Sequence, residues 1–184
     1  TDYLKVNLDE VSAWTNEQPD SFEWDDFIKA ALKAENPELT ITPKMVKERK
    51  VLVKQKIKNL SSCNIFNDRI IDSPKRFDLL STNFVAESVC QTQDQIKAVV
   101  AKFKDLLKDN GHLVMTGLLG APYWHVMDTT FASTKLSEDD AKQILKDAGF
   151  EIELFKVIPS QYAPDDPDFQ GYEGMFMVRA KLTS

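Results

Sequence analysis

Two cysteines, two histidines and six glycines in 184 residues exclude several kinds of chemistry at once. Cys63 and Cys90 stand far apart and outside any CxxC or Cys/His spacing, so neither a disulfide framework nor a zinc site is indicated, and a reducing, cytoplasmic compartment is expected. Gly117 and Gly120 do not form a GxGxxG phosphate loop; GxSxG and HExxH are absent, and His112 and His125 occupy unrelated positions, which argues against a hydrolase constellation. No apolar run approaches the ~20 residues that span a bilayer, and no charged-then-apolar signal pattern is read at the start. An excess of positive charge is lacking too. With 23 Lys and Arg against 29 Asp and Glu, a net charge of −6 argues against a polyanionic partner such as nucleic acid.

What is present is a globular composition, 42% hydrophobic and 10% aromatic, enough for a substantial core. The chain changes character near residue 73. Residues 1–72 are expected to be mainly helical. Asn7 with Glu10 reads as a capping box ahead of Leu8, Val11 and Trp14. Ser21 is a candidate cap for a helix whose face carries Trp24, Phe27, Ile28, Ala31 and Leu32. A third helix is expected from Thr42 and Pro43 to about Asn59, with Met45, Val46, Leu52, Val53 and Ile57 inward and seven cations from Lys44 to Lys58 outward. That charge run is a solvated face or, as the sharper alternative, a membrane-surface or calmodulin-type helix.

From residue 73 to 184 strand and helix alternate. FDLLSTNF (77–84) reads as a buried strand. Thr92 with Gln95 caps a helix kept in period by Ile96, Val99, Val100, Phe103, Leu106 and Leu107, with Asn110-Gly111 as its stop. Leu113–Met115 reads as a second strand, Ser137 opens a helix that ends at Gly149, and strands follow at 150–158 and 175–182. This order predicts an α/β fold with a mostly parallel sheet, whose ligands bind at the carboxyl ends of the strands. Those ends carry Ser81, Thr82, Asn83, Phe84 and Glu87, then Thr116, Gly117, Gly120, Tyr123, Trp124 and His125. A carboxylate, hydroxyls and rings around one crevice suit a small organic molecule. Glu87 read as a surface carboxylate, His125 as a loop residue and Tyr123 and Trp124 as core are the plainer alternatives. The Asp165, Asp166, Asp168 run, interrupted by proline, reads as a solvated turn rather than a calcium loop.

Six collinear segments carry a resemblance: TDYLKVNLDEVSAWTNEQPDSFEW, FDLLSTNFVAESVC, LLKDNGHLVMTG, YW with TTFAST downstream, DAGFEIELFKVI and EGMFMVRAKL. Across nearly the whole chain they resemble the nicotinamide, phenylethanolamine and indolethylamine (thioether) N-methyltransferases. The resemblance implies a Rossmann-like S-adenosylmethionine-dependent methyltransferase fold, S-adenosylmethionine as cofactor with S-adenosylhomocysteine as product, no metal, and a small amine, pyridine or amide as methyl acceptor.

It also implies roles. Asp2 matches the acid that accepts hydrogen bonds from the cofactor ribose, with Tyr3 and Asn7 as cofactor-contacting neighbours. Cys63, Asn64 and Ile65 match a stretch whose acid reads the adenine amine, and the Asn64 amide oxygen still accepts such a bond. Thr82 matches a threonine at the cofactor's methionine end. Allowing one inserted residue, Glu87 matches the acid facing the substrate nitrogen and is the expected catalytic group. Asn83, Thr116, Gly120, Tyr123 and Ser133 fall at substrate-pocket positions. Thr116 replaces a second acid and Gly120 a pocket serine, which leaves the acceptor open.

The resemblance places the ribose acid about 20 residues beyond a glycine-rich loop. Here that acid is residue 2, so the expectation is a single partial domain. The first strand, the glycine loop and most of the second strand would then precede Thr1, supplied by a longer parent or covered by an oligomer partner. The competing expectation is a catalytically inactive methyltransferase-like domain acting as a binding or scaffolding module.

Overall fold

The computed structural model describes residues 1–162 and 171–183. The Asp165, Asp166 and Asp168 run lies outside the described residues. Contacts gather into two compact units, Thr1–Ile71 and Asp72–Ser184, divided where the sequence changes character.

The first unit holds α1 (Lys5–Thr15), α2 (Asp25–Glu35) and α3 (Pro43–Lys56). Ile28, Leu32 and Val46 form its small core, with Trp24, Leu39, Ile41, Met45 and Val53 packed against them. α3 begins as the sequence predicts: Thr42 accepts a hydrogen bond from the Met45 N–H, and Pro43 fills the first helical position. It ends at Lys56, short of Asn59, and Leu52 is exposed rather than inward.

The other two helix starts differ from expectation. Asn7 lies inside α1, because Asp2 takes the Leu4 N–H at 2.8 Å and so fixes an earlier start, while Glu10 accepts from the Phe22 N–H at 2.7 Å instead of closing a capping box. α2 starts four residues beyond Ser21. The intervening turn is held by Phe22 packed edge-on against Trp24 at 4.9 Å, and Glu23 accepts from the Asp25 N–H. Asp25 and Asp26 then fall in the first turn, where the helix dipole favours negative charge.

The cationic helix is not a free basic face. Both terminal nitrogens of Arg49 bind Glu35 at 2.6 Å, Lys50 pairs with Glu23 and Asp25, and Lys44 pairs with Glu48. Lys54 pairs with Glu17 at 3.2 Å and lies over the Trp14 ring. The acids of the same unit thus neutralise most of α3, which removes the argument for a membrane-surface or calmodulin-type helix. No helix among the described residues is long and apolar enough to cross a membrane.

The second unit is built on a four-stranded sheet of β1 (Phe77–Asn83), β2 (Leu107–Leu119), β5 (Phe150–Pro159) and β6 (Gly174–Leu182), in the order β1-β2-β6-β5. Between them in sequence come α4 (Ala86–Val89), α5 (Gln93–Phe103), a hairpin of β3 (Tyr123–Val126) and β4 (Thr129–Ala132), and α6 (Glu138–Asp147). β1 runs parallel to β2, whereas β6 is antiparallel to both β2 and β5. The closing strand therefore inserts against the direction of its neighbours, and the sheet is mixed.

Local signals explain most boundaries. Thr92 accepts from the Gln95 N–H to open α5, and Ser137 with Asp140 makes a reciprocal capping box for α6. Gly149, at φ +88, turns the chain from α6 into β5. α5, however, ends at Phe103, and Asn110-Gly111 sits within the irregular beginning of β2 rather than stopping a helix. Asn110 takes φ 61 there, one of the few residue types that tolerate it.

The core lies on one face of this sheet. Met115 and Phe176 point toward Ile96 and Val100 of α5 and Ala141, Ile144 and Leu145 of α6, all around a residual gap of about 10 Å³. Side chains alternate along a strand, so Val114, Thr116 and Leu118 look to the opposite face with their register partners Arg179, Met177 and Met175. On that face Leu79 and Ile158 are more than half exposed.

Candidate functional site

The parallel strands β1 and β2 deliver the second unit's candidates at their carboxyl ends. The chain leaves β1 at Phe84, which adopts φ 52 and donates its N–H to the Thr116 carbonyl at 2.9 Å. α4 follows at once and carries Glu87. Asn83 and Thr116 are register partners, and the Thr116 hydroxyl donates to the Asn83 amide oxygen at 3.0 Å. Thr82 pairs with Met115 and so faces the helix side, separating it from Asn83, although the sequence places both beside one crevice.

Glu87 is enclosed. Its side chain has no exposed surface, one oxygen accepts the Leu118 N–H at 3.1 Å, and Oε2 is buried with no protein partner. The seat exists because residue 117 is glycine: a Cβ there would lie 2.9 Å from the Glu87 carboxyl carbon and 2.6 Å from the Phe176 ring. Burial pushes the Glu87 carboxyl up to about 7, against the backbone N–H bonds that favour its charged form. The nearby Cys90 thiol is raised to about 11 by burial and by the Glu87 charge. Glu87 thus neither lies at the surface nor opens onto a crevice.

The hairpin closes over α4. Ser133 Oγ donates to the Glu87 carbonyl at 2.8 Å, the Thr134 N–H donates to the same oxygen, and Trp124 Nε1 donates to the Ser88 carbonyl at 2.8 Å. Trp124 also stacks on Phe131, ring centroids 4.6 Å apart. Tyr123 is 39% exposed; its ring lies so close to Gly171 that a Cβ there would sit 3.0 Å from it. Gly120 takes φ +71, and a Cβ there would meet the Glu173 side chain at 2.4 Å. His125 faces Thr130 across the hairpin, so its role is local.

The first unit assembles its own candidates. A parallel bridge joins Asp2 to Ser62, and the Cys63 N–H donates to the Asp2 carbonyl at 2.9 Å, which sets Asp2 beside the Cys63, Asn64, Ile65 stretch. Asn7 donates its amide to the Asp2 carboxylate at 3.1 Å. Asn64 Oδ1 accepts from the Phe66 N–H at 3.0 Å, so its oxygen already holds a turn, with one lone pair left. Tyr3 is exposed and Ile65 is buried. A cavity of about 680 Å³ also lies in this unit, lined by Ile41, Val46, Lys47 and Lys50 among others, and none of the candidate residues borders it. Among the described residues no three His, Cys, Asp or Glu side chains gather as a metal cluster would require.

Sequence reasoning placed Gly117 at the crevice without its role as the seat of Glu87, and missed Thr134 and the bond from Trp124 to the Ser88 carbonyl. The hairpin that carries Trp124, with Thr134 just beyond its second strand, turns at Met127, φ 50, and Asp128, without the Asn-Gly or Asp-Gly signal that would announce it.

Comparison with known proteins agrees with this architecture. The chain is 26% identical over 187 residues to nicotinamide N-methyltransferase from Sus scrofa, covering all of this chain and 67% of that protein. It is 27% identical to indolethylamine N-methyltransferase from Oryctolagus cuniculus, covering 98% of this chain and 67% of that one. The fold matches the crystal structure of 1,6-didemethyltoxoflavin-N1-methyltransferase from Burkholderia thailandensis, determined with S-adenosylhomocysteine bound, at a TM-score of 0.50 and 16% identity, over 79% of this chain and 59% of that one. The sequence profile of the NNMT/PNMT/TEMT family matches residues 1–183, a span that takes in Asp2, Glu87 and the β6 strand alike, and the chain belongs to that family.

Proposed function

We propose that this protein transfers a methyl group from S-adenosylmethionine to the nitrogen of a small amine, pyridine or amide-bearing acceptor. One observation carries the reading: a sealed carboxyl with a spare oxygen, Glu87, beside the carboxyl ends of two parallel strands, in a chain of an N-methyltransferase family.

The residues fit the cofactor at its ribose edge. Each Asp2 carboxylate oxygen has one N–H donor, from Leu4 or Asn7, and keeps a lone pair for a sugar hydroxyl. Asp2, Tyr3 and Asn7, with Cys63, Asn64 and Ile65 alongside, hold the nucleoside in this reading. When bound, S-adenosylmethionine supplies a methyl already activated on a sulfonium. The side chains therefore have only to orient the acceptor nitrogen, exclude water and handle a proton.

Glu87 is the group for that work. A carboxyl with a midpoint near 7 is partly ionised at neutral pH, so Oε2 accepts an N–H or takes the proton that leaves the acceptor nitrogen. Tyr123, Ser133 and Gly120 shape the acceptor's surroundings, whereas Asn83 and Thr116 look to the other face of the sheet and take no part in this reading. Since Glu87 has no exposed surface, an acceptor reaches Oε2 only when the hairpin or Phe176 gives way. The alternative of an inactive scaffolding domain has no observation in its favour.

The test is calorimetry with S-adenosylhomocysteine together with turnover of pyridine, arylalkylamine and thioether acceptors, on this chain and on an N-terminally extended one. Glu87→Ala is expected to lower kcat by at least ~100-fold and to change cofactor affinity less than threefold. Equal losses in both would contradict the role of Glu87; binding of S-adenosylhomocysteine by the extended protein alone still supports the reading, and failure of the extended protein to bind it would overturn it.

A further inference from the structure

α4 is four residues long, too short to hold its own shape. Its carbonyls are among the groups a helix end leaves without internal partners. Here they are taken by a distant segment: Glu87 O by Ser133 and Thr134, Ser88 O by Trp124, and Cys90 O by the Thr134 hydroxyl at 2.6 Å. Thr134 is itself 6% exposed, a buried hydroxyl in a part of the chain that is otherwise apolar or at the surface. The Glu87 side chain, by contrast, is held from the other direction by the Leu118 N–H and the space above Gly117. Main chain and side chain of the same residue are thus fixed from two separate elements.

We propose that Thr134 and Trp124 are positioning residues for Glu87, forming a strap from the β3–β4 hairpin across α4 that keeps the carboxyl in its dry seat. The strap acts through main-chain carbonyls and touches no acceptor. Its link to activity rests on the proposed role of Glu87; its effect on the Glu87 carboxyl does not. Removing the Thr134 hydroxyl leaves the Cys90 carbonyl unpaired, loosens the end of α4 and admits water to the carboxyl. Easier hydration stabilises the charged form. On the elements packed against Glu87 the titratable or charged groups are Cys90 beyond α4, Lys108, Asp109 and His112 on β2, Tyr123, His125 and Asp128 in the hairpin, Lys135 paired with Glu173, and Arg179 and Lys181 on β6. Cys90 is the one whose own ionisation registers the Glu87 charge, and it stays a neutral thiol well above neutrality.

The experiment is a titration of the Glu87 carboxyl by carbon-13 NMR in the unaltered chain and in Thr134→Val, Thr134→Ser and Trp124→Phe, with Glu87→Gln to assign the signal, alongside kcat against pH for the active protein. Thr134→Val, close in shape but without the hydroxyl, is expected to move the midpoint down from about 7 by roughly one unit, a tenfold change in proton affinity, and to shift the acidic limb of kcat with it. Thr134→Ser restores both. Trp124→Phe keeps the stack on Phe131, loses the bond to Ser88, moves the midpoint the same way, and decides the matter if Thr134→Val does not fold. A midpoint unchanged in the folded variants, with only Tm lowered, would overturn the proposal. Absence of methyl transfer by the unaltered protein would count against the function proposed above, while the NMR midpoint would still decide the strap.

Discussion

Glu87 shows how a single residue can oppose the fold that houses it. Its carboxyl is raised in the folded state from an ordinary 4.5 to about 7. Between those values the folded chain holds a proton that the unfolded chain has released, so stability falls as pH rises from 4.5 to 7 and stays lower above it. Glu87→Gln keeps the acceptor for the Leu118 N–H and removes the buried charge. It is expected to raise stability at pH 8 by on the order of 3 kcal/mol, to leave it nearly unchanged at pH 4, and to abolish turnover. Urea unfolding at the two pH values measures this; equal stability at pH 8 would show that the carboxyl is hydrated. Gly117 is its counterpart. Gly117→Ala forces a Cβ to within 2.6 Å of the Phe176 ring and is expected to cost about 1–3 kcal/mol, measured in the same unfolding series.

At the scale of elements, helix ends set stability where the sequence announces them clearly. Ser137 and Asp140 satisfy each other's N–H groups at the start of α6, and Ser137→Ala is expected to lower unfolding free energy by about 1 kcal/mol. Gly149, at φ +88, has open space where a Cβ would go, so Gly149→Ala meets backbone strain without a clash and costs about 1 kcal/mol by the same measurement. α3 behaves differently from a lone basic helix, since its charges sit opposite acids of α2 and of the segments around it. Arg49 and Glu35 show this best: the bidentate pair holds the Glu35 carboxyl below its ordinary range.

At the scale of the whole molecule, the sheet of the second unit is covered on one side by α5 and α6 of the same unit. Leu79, 57% exposed, and Ile158, 62% exposed, lie on the other side with Met177 between them in the strand order. They stand at opposite corners of that face, level with His112 and Leu118 of β2, with Val114, Thr116, Arg179 and Lys156 between them, so the exposed apolar surface is scattered rather than continuous. Leu79→Lys with Ile158→Lys is therefore expected to leave the sedimentation velocity of the chain unchanged; a shift toward smaller species in the double variant would show that the two side chains join in self-association.

The sequence by itself determined the α/β alternation, the strand positions of β1, β5 and β6, and the caps at Thr42, Thr92 and Ser137, because each rests on periodicity or on hydrogen bonds between residues three apart. The family resemblance assigned Asp2 and the Cys63, Asn64, Ile65 stretch to one cofactor, and the bridge from Asp2 to Ser62 sets them side by side. Only the tertiary structure decided that β6 inserts against its neighbours, that Asn7 and Ser21 do not cap, and that Glu87 is sealed under Phe176 and strapped by Thr134 and Trp124. The enclosure of Glu87 depends on groups 31 to 46 residues apart in the chain, whose meeting no local pattern records.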